Sequence, residues 1–459
     1  MEQIAKPHCG ARLDRLPDCR WHMSMFAMVA FGLLVCWSNA VGGLILAQLK
    51  ELGWTDNSTT ATFSAITTAG MFLGALGGGI IGDKTGRKNA FILYEAIHII
   101  SMIVGAFSPN MTFLIACRFV MGVGLGALLV TLFAGFTEYM PGRNRGTWSS
   151  RVSFIGNWSY PLCSLIAMGL TPLISAEWNW RVQLLIPAVL SLIATVIAWR
   201  SFPESPRWLE SRGRYQEAEQ VMRIIEEGVI RQTGKPLPPV VIDDDGKQPR
   251  SVPYSALLTG VLLKRVILGS FVLIAMNVVQ YTLINWLPTI FMTQGINLKD
   301  SIVLNTMSMF GAPFGIFIAM LVMDKIPRKI MGVGLLVLIA VLGYIYSLQT
   351  SMLLITLIGF FLITFVYMYV CYASAVYVPE IWPTEAKLRG SGLANAVGRI
   401  SGIAAPYAVA VLLSSYGVTG VFVLLGVVSI IVAVAIATIG IETKGVSVES
   451  LGIDAITSK

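Results

Sequence analysis

Long apolar runs dominate the sequence and limit it to folds that span a membrane. An α-helix needs about 20 residues to cross the hydrocarbon core of a bilayer, which is roughly 30 Å thick. Helices are the only spanning form that fits, because lipid satisfies no backbone hydrogen bonds and the runs lack the alternation of barrel strands. The twelve predicted runs, called spans 1 to 12, are approximately Met23–Leu49, Thr59–Ile81, Asn89–Phe107, Met111–Gly135, Trp148–Leu173, Val182–Phe202, Val266–Phe291, Ser301–Met323, Ile330–Leu348, Met352–Val378, Ser391–Ser414 and Val418–Ile439.

The composition agrees with an all-α integral membrane protein. Hydrophobic residues make up 55% of the 459 residues, and charged residues only 13%, about half the usual share of a soluble domain. This excludes a soluble enzyme, a disordered protein and a disulfide scaffold, and the six scattered cysteines form no disulfide framework. The net charge of +8 would suggest nucleic acid in a soluble protein, but here we expect no nucleic-acid partner, because membrane topology explains the charge.

The lysines and arginines lie mostly on one side of the predicted membrane. Of the 33, 28 fall in segments that share a side with the N-terminus, Arg118 and Arg399 lie within spans, and only Lys50, Arg181 and Lys299 lie on the other side. The positive-inside rule therefore predicts that both termini are cytoplasmic. The predicted organisation is an N-terminal segment 1–22, a six-helix bundle 23–202, a linker 203–265, a second six-helix bundle 266–440 and a cytoplasmic tail 441–459.

The linker between spans 6 and 7 is the only long polar interval. Its first part, Arg214–Ile230, predicts an amphipathic helix with Tyr215, Ala218, Val221, Met222 and Ile225 on one side. The remainder contains Pro236, Pro238 and Pro239 and then three consecutive aspartates, which is typical of a flexible connector.

Charged motifs recur in the two halves in the same order and on the same side. Asp83 with Arg87 follows span 2 as Asp324 with Arg328 follows span 8. A glutamate and an arginine likewise follow spans 4 and 10, and Glu204 and Glu442 follow spans 6 and 12. Matching offsets predict two pseudo-symmetric six-helix halves in parallel repeat, a common plan of transporters.

At these residues the chain resembles the major facilitator superfamily, and within it the sugar porter group and the bacterial inner-membrane metabolite transporters. The resemblance covers nearly all of Met23–Gly445. The motifs that carry it are Gly79-x3-Asp83-x2-Gly86-Arg87-Lys88, Arg118-x3-Gly122-x-Gly124-x-Gly126, Trp180-Arg181 and Pro203-Glu-Ser-Pro-Arg-Trp-Leu209. It implies secondary active transport by alternating access, with spans 1, 4, 7 and 10 lining the cavity, span 11 at the interface and span 3 peripheral.

The sequence departs from the sugar porters where ligand chemistry would lie. The resemblance implies an Asp in span 1 of proton-coupled members, and Ser38 stands at its place; span 7 has Asn277-Val-Val-Gln280 instead of a Gln-Gln pair. Arg399 to Pro406 in span 11 is more similar to the organic-ion branch. Fold and transport therefore carry over, whereas glucose-like specificity does not. Proton symport, facilitated diffusion, exchange and a different proton carrier all stay open.

The charged residues at the cytoplasmic ends of the helices are predicted to form a gate. Acid-base sets paired across the two halves would favour the outward-facing state, and a network is needed because a single exposed ion pair contributes only about 0–1 kcal/mol. The alternative is that they only orient loops and set topology. The predicted gating residues are Asp83 near Arg87, Glu138 near Arg145, Glu204 and Arg207, Asp324 and Arg328, and Glu380 near Arg389.

Few ionisable residues lie within the spans, and such residues are functional candidates by default. Arg118 and Arg399 are predicted to face the pathway, where arginine suits a carboxylate or phosphate. We therefore expect a substrate with an acidic group, such as a sugar acid, with a neutral sugar or polyol as the alternative. Glu95 is the candidate for proton coupling, although it and His98 could be snorkelling or satisfied core residues. Glu95 and Arg118 are expected to lie about 12 Å apart along the membrane normal, too far for direct pairing.

Amide and aromatic residues complete the predicted substrate site, since amides match hydroxyl groups and rings stack on apolar ligand faces. Each could instead hydrogen-bond between helices or anchor at the interface. The candidates are Asn39, Asn157, Trp158, Gln280, Tyr281, Asn285, Trp286, Asn305, Tyr367, Tyr372 and Asn395.

No metal, cofactor or catalytic site is predicted, so the chain is not expected to be an enzyme. His8, Cys9, Cys19 and His22 could in principle bind zinc, but their spacing fits no common finger. Glycines at every fourth position, Gly70 to Gly82 on span 2 and Gly122 with Gly126 on span 4, predict close helix contacts. The expected partners are the lipid bilayer, a small-molecule substrate and protons, with the monomer as the functional unit. Two other functions stay open: an organic-ion or drug efflux transporter, and a membrane sensor that does not transport.

Overall fold

All regular structure in the described residues is helical. The computed structural model describes residues 7–17, 19–141, 145–240, 253–323, 325–382 and 386–443. Within these ranges, nine helices are long and apolar enough to cross a membrane. They account for all the predicted spans except 1 and 5, because each of those is divided into two shorter helices, while spans 11 and 12 run on as one.

The helices agree with the predicted spans to within a few residues at most ends. Span 1 comprises Arg20–Val35 and Gly42–Glu51, span 5 Arg145–Asn157 and Ser159–Leu170, and span 8 Leu298–Met309 and Gly311–Val322. Span 10 begins as Met352–Cys371, continues as a π-helix over Tyr372–Tyr377 and ends with Val378–Glu380. The others are Asn57–Thr85, Arg87–Ala106, Met111–Tyr139, Ala176–Ser201, Gly260–Thr293, Arg328–Ser347 and Lys387–Ile439, which covers spans 11 and 12.

Spans 11 and 12 are connected through a single non-helical residue. The sequence predicts a short connection between Ser414 and Val418, but the helix is interrupted only at Gly417, with φ 64° and ψ −159°. A positive φ of this kind is available to glycine at no steric cost. The chain can therefore change direction there within one residue.

The chain divides into two compact units. In their described parts, unit 1 takes Met1–Ser38, Gly70–Ser159 and Leu184–Gly246, and unit 2 takes Asn39–Ala69, Tyr160–Gln183 and Lys247–Lys459. Unit 2 thus contains pieces of spans 1, 2, 5 and 6 that the sequence assigns to the first bundle. The domain boundaries drawn from the sequence stay a prediction.

Glycines bring spans 2 and 4 of unit 1 into close contact, as their spacing predicts. A Cβ atom on Gly70 would overlap the Phe119 carbonyl oxygen, and one on Gly74 would overlap that of Val123. Gly126 in turn lies against the backbone of Met71. The predicted role is confirmed for Gly70, Gly74 and Gly126, because no larger residue fits at these positions without moving one helix away from the other. A Cβ atom on Gly82 would make only ordinary contacts, none shorter than 3.6 Å.

The amphipathic helix of the linker is also confirmed and lies in unit 1 as Tyr215–Thr233. Its apolar side buries Ala218, Met222 and Ile225 together with a residue that the prediction left out, Val229. A short N-terminal helix, Cys9–Asp14, covers this side with Cys9, Leu13 and the following Leu16, all fully buried. The N-terminal segment is therefore packed on the linker helix in the part that the structure describes.

In unit 2 the second half of span 1 packs directly on span 7. A Cβ atom on Gly43 would overlap the carbonyl oxygen of Ile284. Spans 5 and 8 are joined by a hydrogen bond from Asn305 Nδ2 to Ser164 Oγ, 3.1 Å long. Spans 2 and 11 are joined by one from Asn57 Nδ2 to Ser414 Oγ, 2.9 Å long. Segments of both predicted halves are thus in contact within unit 2. These contacts lie towards the helix ends that the distribution of lysine and arginine predicts to be on the non-cytoplasmic side.

Candidate functional site

Span 1 is interrupted over residues 36–41, in the middle of its apolar run. The interruption frees the backbone carbonyl of Ser38 from helical hydrogen bonding, and Nη1 of Arg118 donates a hydrogen bond of 2.8 Å to it. Arg118 is only 2% exposed. Backbone that leaves the helix within a spanning segment is tolerated where protein satisfies its polar groups, and interrupted helices of this kind form the binding sites of many transporters.

The side chain of Ser38 extends this contact to span 3. Its Oγ lies 2.7 Å from Nε2 of His98, and Nδ1 of His98 lies 3.5 Å from Oε2 of Glu95. His98 is fully buried and Glu95 is 1% exposed. Gly124 of span 4 makes the approach possible, because a Cβ atom there would meet the backbone of His98. We call Ser38, His98 and Glu95 the buried polar chain.

The buried polar chain connects two residues that the sequence treats separately. Glu95 and Arg118 are expected to be too distant for direct pairing, and the structure links them through Ser38 and His98. The sequence-based site omitted both linking residues. The signals for them were the i, i+3 spacing of Glu95 and His98, which places both on one helix face, and the serine at the place of the family's acid.

In unit 2, span 11 approaches span 7 at two glycines that are close in sequence to the second predicted arginine. Gly402 packs against the ring of Tyr281 and Gly398 against Asn277; Arg399 lies between these two glycines in the sequence. Arg399 is half-buried, and its Nη1 is buried with no hydrogen-bond partner among the described residues. An arginine donor that is desolvated but unsatisfied is suited to receive an anionic ligand.

Two further candidates in unit 2 are deeply buried. Trp286 has no exposed surface, and its indole Nε1 has no hydrogen-bond partner within the described part of the chain. Asn285 is 4% exposed, and its backbone lies against Gly43. Tyr160 and Tyr367 make an edge-to-face contact with ring centroids 5.4 Å apart.

The other candidates have less distinctive surroundings. Asn157 and Asn395 each donate to a backbone carbonyl one turn earlier in their own helix, those of Ser153 and Ser391. Trp158 lies at the break of span 5 and is 37% exposed. Asn39 lies in the break of span 1 and is half-buried. A ligand role for each of these residues stays a prediction.

The predicted gate residues of unit 1 form one network at the end of span 2. Arg87 donates to Asp83 at 2.7 Å and to Glu138 at 2.9 Å. Glu204 accepts the backbone N–H groups of Arg87 and Lys88, at 2.7 and 3.3 Å, and so caps the helix of span 3. Arg87 is thereby held from three sides by the residues that follow spans 2, 4 and 6.

Unit 2 repeats this arrangement with the corresponding residues. Arg328 donates to Glu380 through Nε and Nη2, at 3.0 and 3.1 Å. Glu442 accepts the backbone N–H groups of Arg328 and Lys329, at 2.8 and 3.1 Å, and caps the helix of span 9. Two contacts of the internal repeat deduced from the sequence are therefore confirmed: the glutamate–arginine pair and the glutamate that caps the following helix.

The other four gate residues have different partners or lie outside the described residues. Arg207 pairs with Asp14 of the N-terminal segment at 2.9 Å, and the guanidinium of Arg389 lies 5.2 Å from the centre of the Tyr254 ring. Asp324 and the side chain of Arg145 lie outside the described residues. The structure shows glutamate–arginine pairing inside each half; pairing across the halves stays a prediction.

Comparison with known proteins agrees with this architecture. The chain is 94% identical, over the full length of both, to the protein of Escherichia coli (strain K12) named "Putative metabolite transport protein YdjK". It is 43% identical to the inner membrane metabolite transport protein YdjE of the same organism, over 96% of this chain and 98% of that one.

A solved structure has the same fold. The partially occluded inward-open conformation of the xylose transporter XylE from E. coli superposes with a TM-score of 0.73 at 17% identity, covering 93% of this chain and 100% of that one. The sequence profile described as Major Facilitator Superfamily matches residues 23–406. The chain therefore belongs to the Major Facilitator Superfamily and is a multi-pass membrane transporter of a small metabolite, not an enzyme.

Proposed function

We propose that the protein moves a small polar metabolite with an acidic group, such as a sugar acid, by alternating access, with protons as co-substrate. Arg399 carries this proposal, because its Nη1 is buried without a hydrogen-bond partner among the described residues. A carboxylate bound there would satisfy the donor and form a charge-assisted hydrogen bond. The ring of Tyr281 beside Gly402 would offer an apolar face to the rest of the ligand.

A second relative supports an acidic substrate. The niacin transporter NiaP of Acinetobacter baylyi is 26% identical over 96% of this chain and 99% of that one. Niacin is an aromatic carboxylic acid, so it combines the charge that Arg399 would bind with a ring that Tyr281 could contact. A neutral sugar or polyol is the competing substrate class.

The remaining site and topology predictions belong to the same proposal. Arg118 would serve the first half of the cavity, and Trp286, Asn285, Asn39, Asn157, Trp158 and Asn395 would shape it. The Arg87 and Arg328 networks would act as the gate at the cytoplasmic face, with both termini on that side. One chain would suffice for transport.

Uptake into proteoliposomes tests the substrate class. Radiolabelled D-galacturonate, nicotinate and D-xylose would be offered to the wild type and to Arg399→Ala, Arg399→Lys and Arg200→Ala. Arg200 is the control, since it is an exposed arginine at the end of span 6. A hydrogen bond to a charged group contributes about 1.5–3 kcal/mol, so Arg399→Ala should weaken the apparent affinity for an acid by about 10- to 100-fold.

The lysine variant should retain part of the affinity, because it keeps the charge but not the fork of donors. Arg200→Ala should behave like the wild type. Transport of D-xylose alone, or acid uptake unchanged by Arg399→Ala, would contradict the proposal.

A further inference from the structure

Glu95 is a carboxyl group buried in the middle of a spanning helix. It is 1% exposed, and neither carboxylate oxygen accepts a hydrogen bond from the described residues. A fixed negative charge in such surroundings is costly unless it is paired. Protonation would remove this cost by making the carboxyl group neutral, but only if protons can reach it.

The buried polar chain places a hydroxyl and an imidazole between the break of span 1 and Glu95. Ser38 lies in the interrupted segment of span 1, where backbone groups are free of the helix. The two nitrogens of His98 face different partners, Nε2 towards Ser38 Oγ at 2.7 Å and Nδ1 towards Glu95 at 3.5 Å. A histidine between a hydroxyl and a carboxylate can pass a proton from one nitrogen to the other without a net change of its own charge.

We propose that Glu95 is the proton-binding group of this transporter and that His98 and Ser38 conduct the proton to it. The proposal rests on the proposed proton-coupled transport. In the loading step Nε2 of His98 takes a proton from the Ser38 hydroxyl, which is replenished from water, and Nδ1 gives its proton to Glu95. The carboxylate becomes a carboxylic acid, and His98 is neutral before and after. The release step is the reverse.

In this proposal Arg118 couples the proton site to the substrate. Its Nη1 holds the Ser38 carbonyl at 2.8 Å, so an acidic substrate that drew the guanidinium away would loosen the segment whose hydroxyl contacts His98. Loading of Glu95 and occupancy by an anion would then depend on each other. By linkage such a coupling acts in both directions.

The neighbouring helices present few other ionisable groups. Cys36 of span 1 interacts electrostatically with Glu95, and Arg118 approaches from span 4. Tyr94, on the same helix as Glu95, donates its hydroxyl to the carbonyl of Gly78 in span 2. Among the described residues named here around Glu95 and His98, Glu95 is therefore the one that carries a carboxyl group.

Infrared spectroscopy of the reconstituted protein tests the proton site without any substrate. A pH titration of the wild type should show the C=O stretch of a protonated carboxyl group from a dry environment, and Glu95→Gln should lack it. The control is Glu51→Gln, which removes an exposed carboxylate at the end of span 1 and should keep the band. A band that survives in Glu95→Gln, or a wild type without one, would overturn the proposal.

Transport measurements test the route. Ser38→Ala, His98→Gln and Glu95→Gln should lose at least tenfold of the acceleration that a pH gradient gives to D-galacturonate or nicotinate uptake. Folding of the three variants is checked separately, by a single sharp size-exclusion peak and a cooperative melting transition of the purified proteins. Ser101→Ala is the control, because its hydroxyl bonds only the backbone carbonyl of His98 at 2.8 Å.

Gradient-driven uptake by Ser38→Ala equal to that of Ser101→Ala would overturn the route. If the wild type exchanges none of the probes while the Glu95 band titrates, the proposed substrate class fails and the proton site stands. The two proposals can therefore fail separately.

Discussion

The N-terminal segment is held on the linker helix by an ion pair that can be removed one partner at a time. Arg12 donates to Glu226 through Nε at 3.0 Å and Nη2 at 2.8 Å, and it also pairs with Glu219. Both Arg12 and Glu226 are 13% exposed. The hydrogen bonds to Glu226 raise the pKa of Arg12 above its usual value, so the pair is charged at neutral pH.

We expect Arg12→Ala to weaken the docking of this segment by about 1.5–3 kcal/mol. An exposed ion pair contributes only about 0–1 kcal/mol, but hydrogen bonds to charged groups contribute about 1.5–3 kcal/mol, and this pair is bidentate and largely buried. Since 1.4 kcal/mol is a factor of ten in an equilibrium constant, local opening should become about 10- to 100-fold more frequent.

Alkylation of Cys9 measures that opening directly. The Cys9 side chain has no exposed surface, and burial, assisted by Glu210, raises the pKa of its thiol to about 12. The docked thiol is therefore almost unreactive, since the thiolate is the nucleophile. Residue-resolved mass spectrometry of maleimide labelling would give the rate at Cys9 separately from the other cysteines.

Arg223→Ala is the matched control. Arg223 pairs with Glu219 on the same helix at 3.1 Å but is 70% exposed, so its loss should change the Cys9 rate by less than about threefold. Equal rates for Arg12→Ala and the wild type, or equal acceleration by Arg12→Ala and Arg223→Ala, would refute the reasoning.

Three further perturbations follow from particular contacts. Burial raises the pKa of Glu226, but its arginine hydrogen bonds outweigh this and lower it; docking stability is therefore present above the ordinary glutamate pKa near 4.3 and lost as pH falls through the lowered value. Hydrogen exchange of the segment, corrected for intrinsic rates, should rise only below about pH 4, and not in Glu226→Gln. Gly43→Val places a side chain on the Ile284 carbonyl, so the accessibility of cysteines introduced at Glu51 and Thr293, at the ends of spans 1 and 7, should rise severalfold. Gly169→Val, at a helical position with open space around it, should not raise it. Arg328→Ala leaves Glu380 without its bidentate partner and should lower the melting temperature by a few degrees, with Arg231→Ala unchanged.

The spans could be predicted because length and hydropathy alone decide what crosses a bilayer. The interruption of span 1 could not be predicted, because the apolar residues on both sides of Ser38 and Asn39 together form a run long enough for one spanning helix. The backbone leaves the helix there while the Ser38 carbonyl is bonded by Arg118, a contact between positions 80 residues apart in the chain. Hydropathy carries no information on such a contact.

The packing of the N-terminal segment was missed for a different reason. Its four cations favour a solvated cytoplasmic segment. The same segment also contains Cys9, Leu13 and Leu16, whose i, i+4, i+7 spacing predicts one apolar helix face. The apolar side of the linker helix, recognised in the sequence, needed a partner. Combining the two patterns would have predicted the contact.

The buried polar chain could not be predicted from the depth of each residue in the membrane. Counting residues along each helix places Glu95 and Arg118 at different heights in the membrane, but it says nothing of which side chains lie between them. In the structure that space holds Ser38 and His98, at 2.7 Å from each other. Serine at the place of the family's acid therefore need not end proton coupling: if Glu95 carries the proton, the acid has moved from span 1 to span 3, and the serine has become the link to it. Glu95→Gln combined with Ser38→Asp distinguishes these arrangements, because an acid restored in span 1 beside Arg118 should recover gradient-driven uptake only if the cavity accepts the proton there.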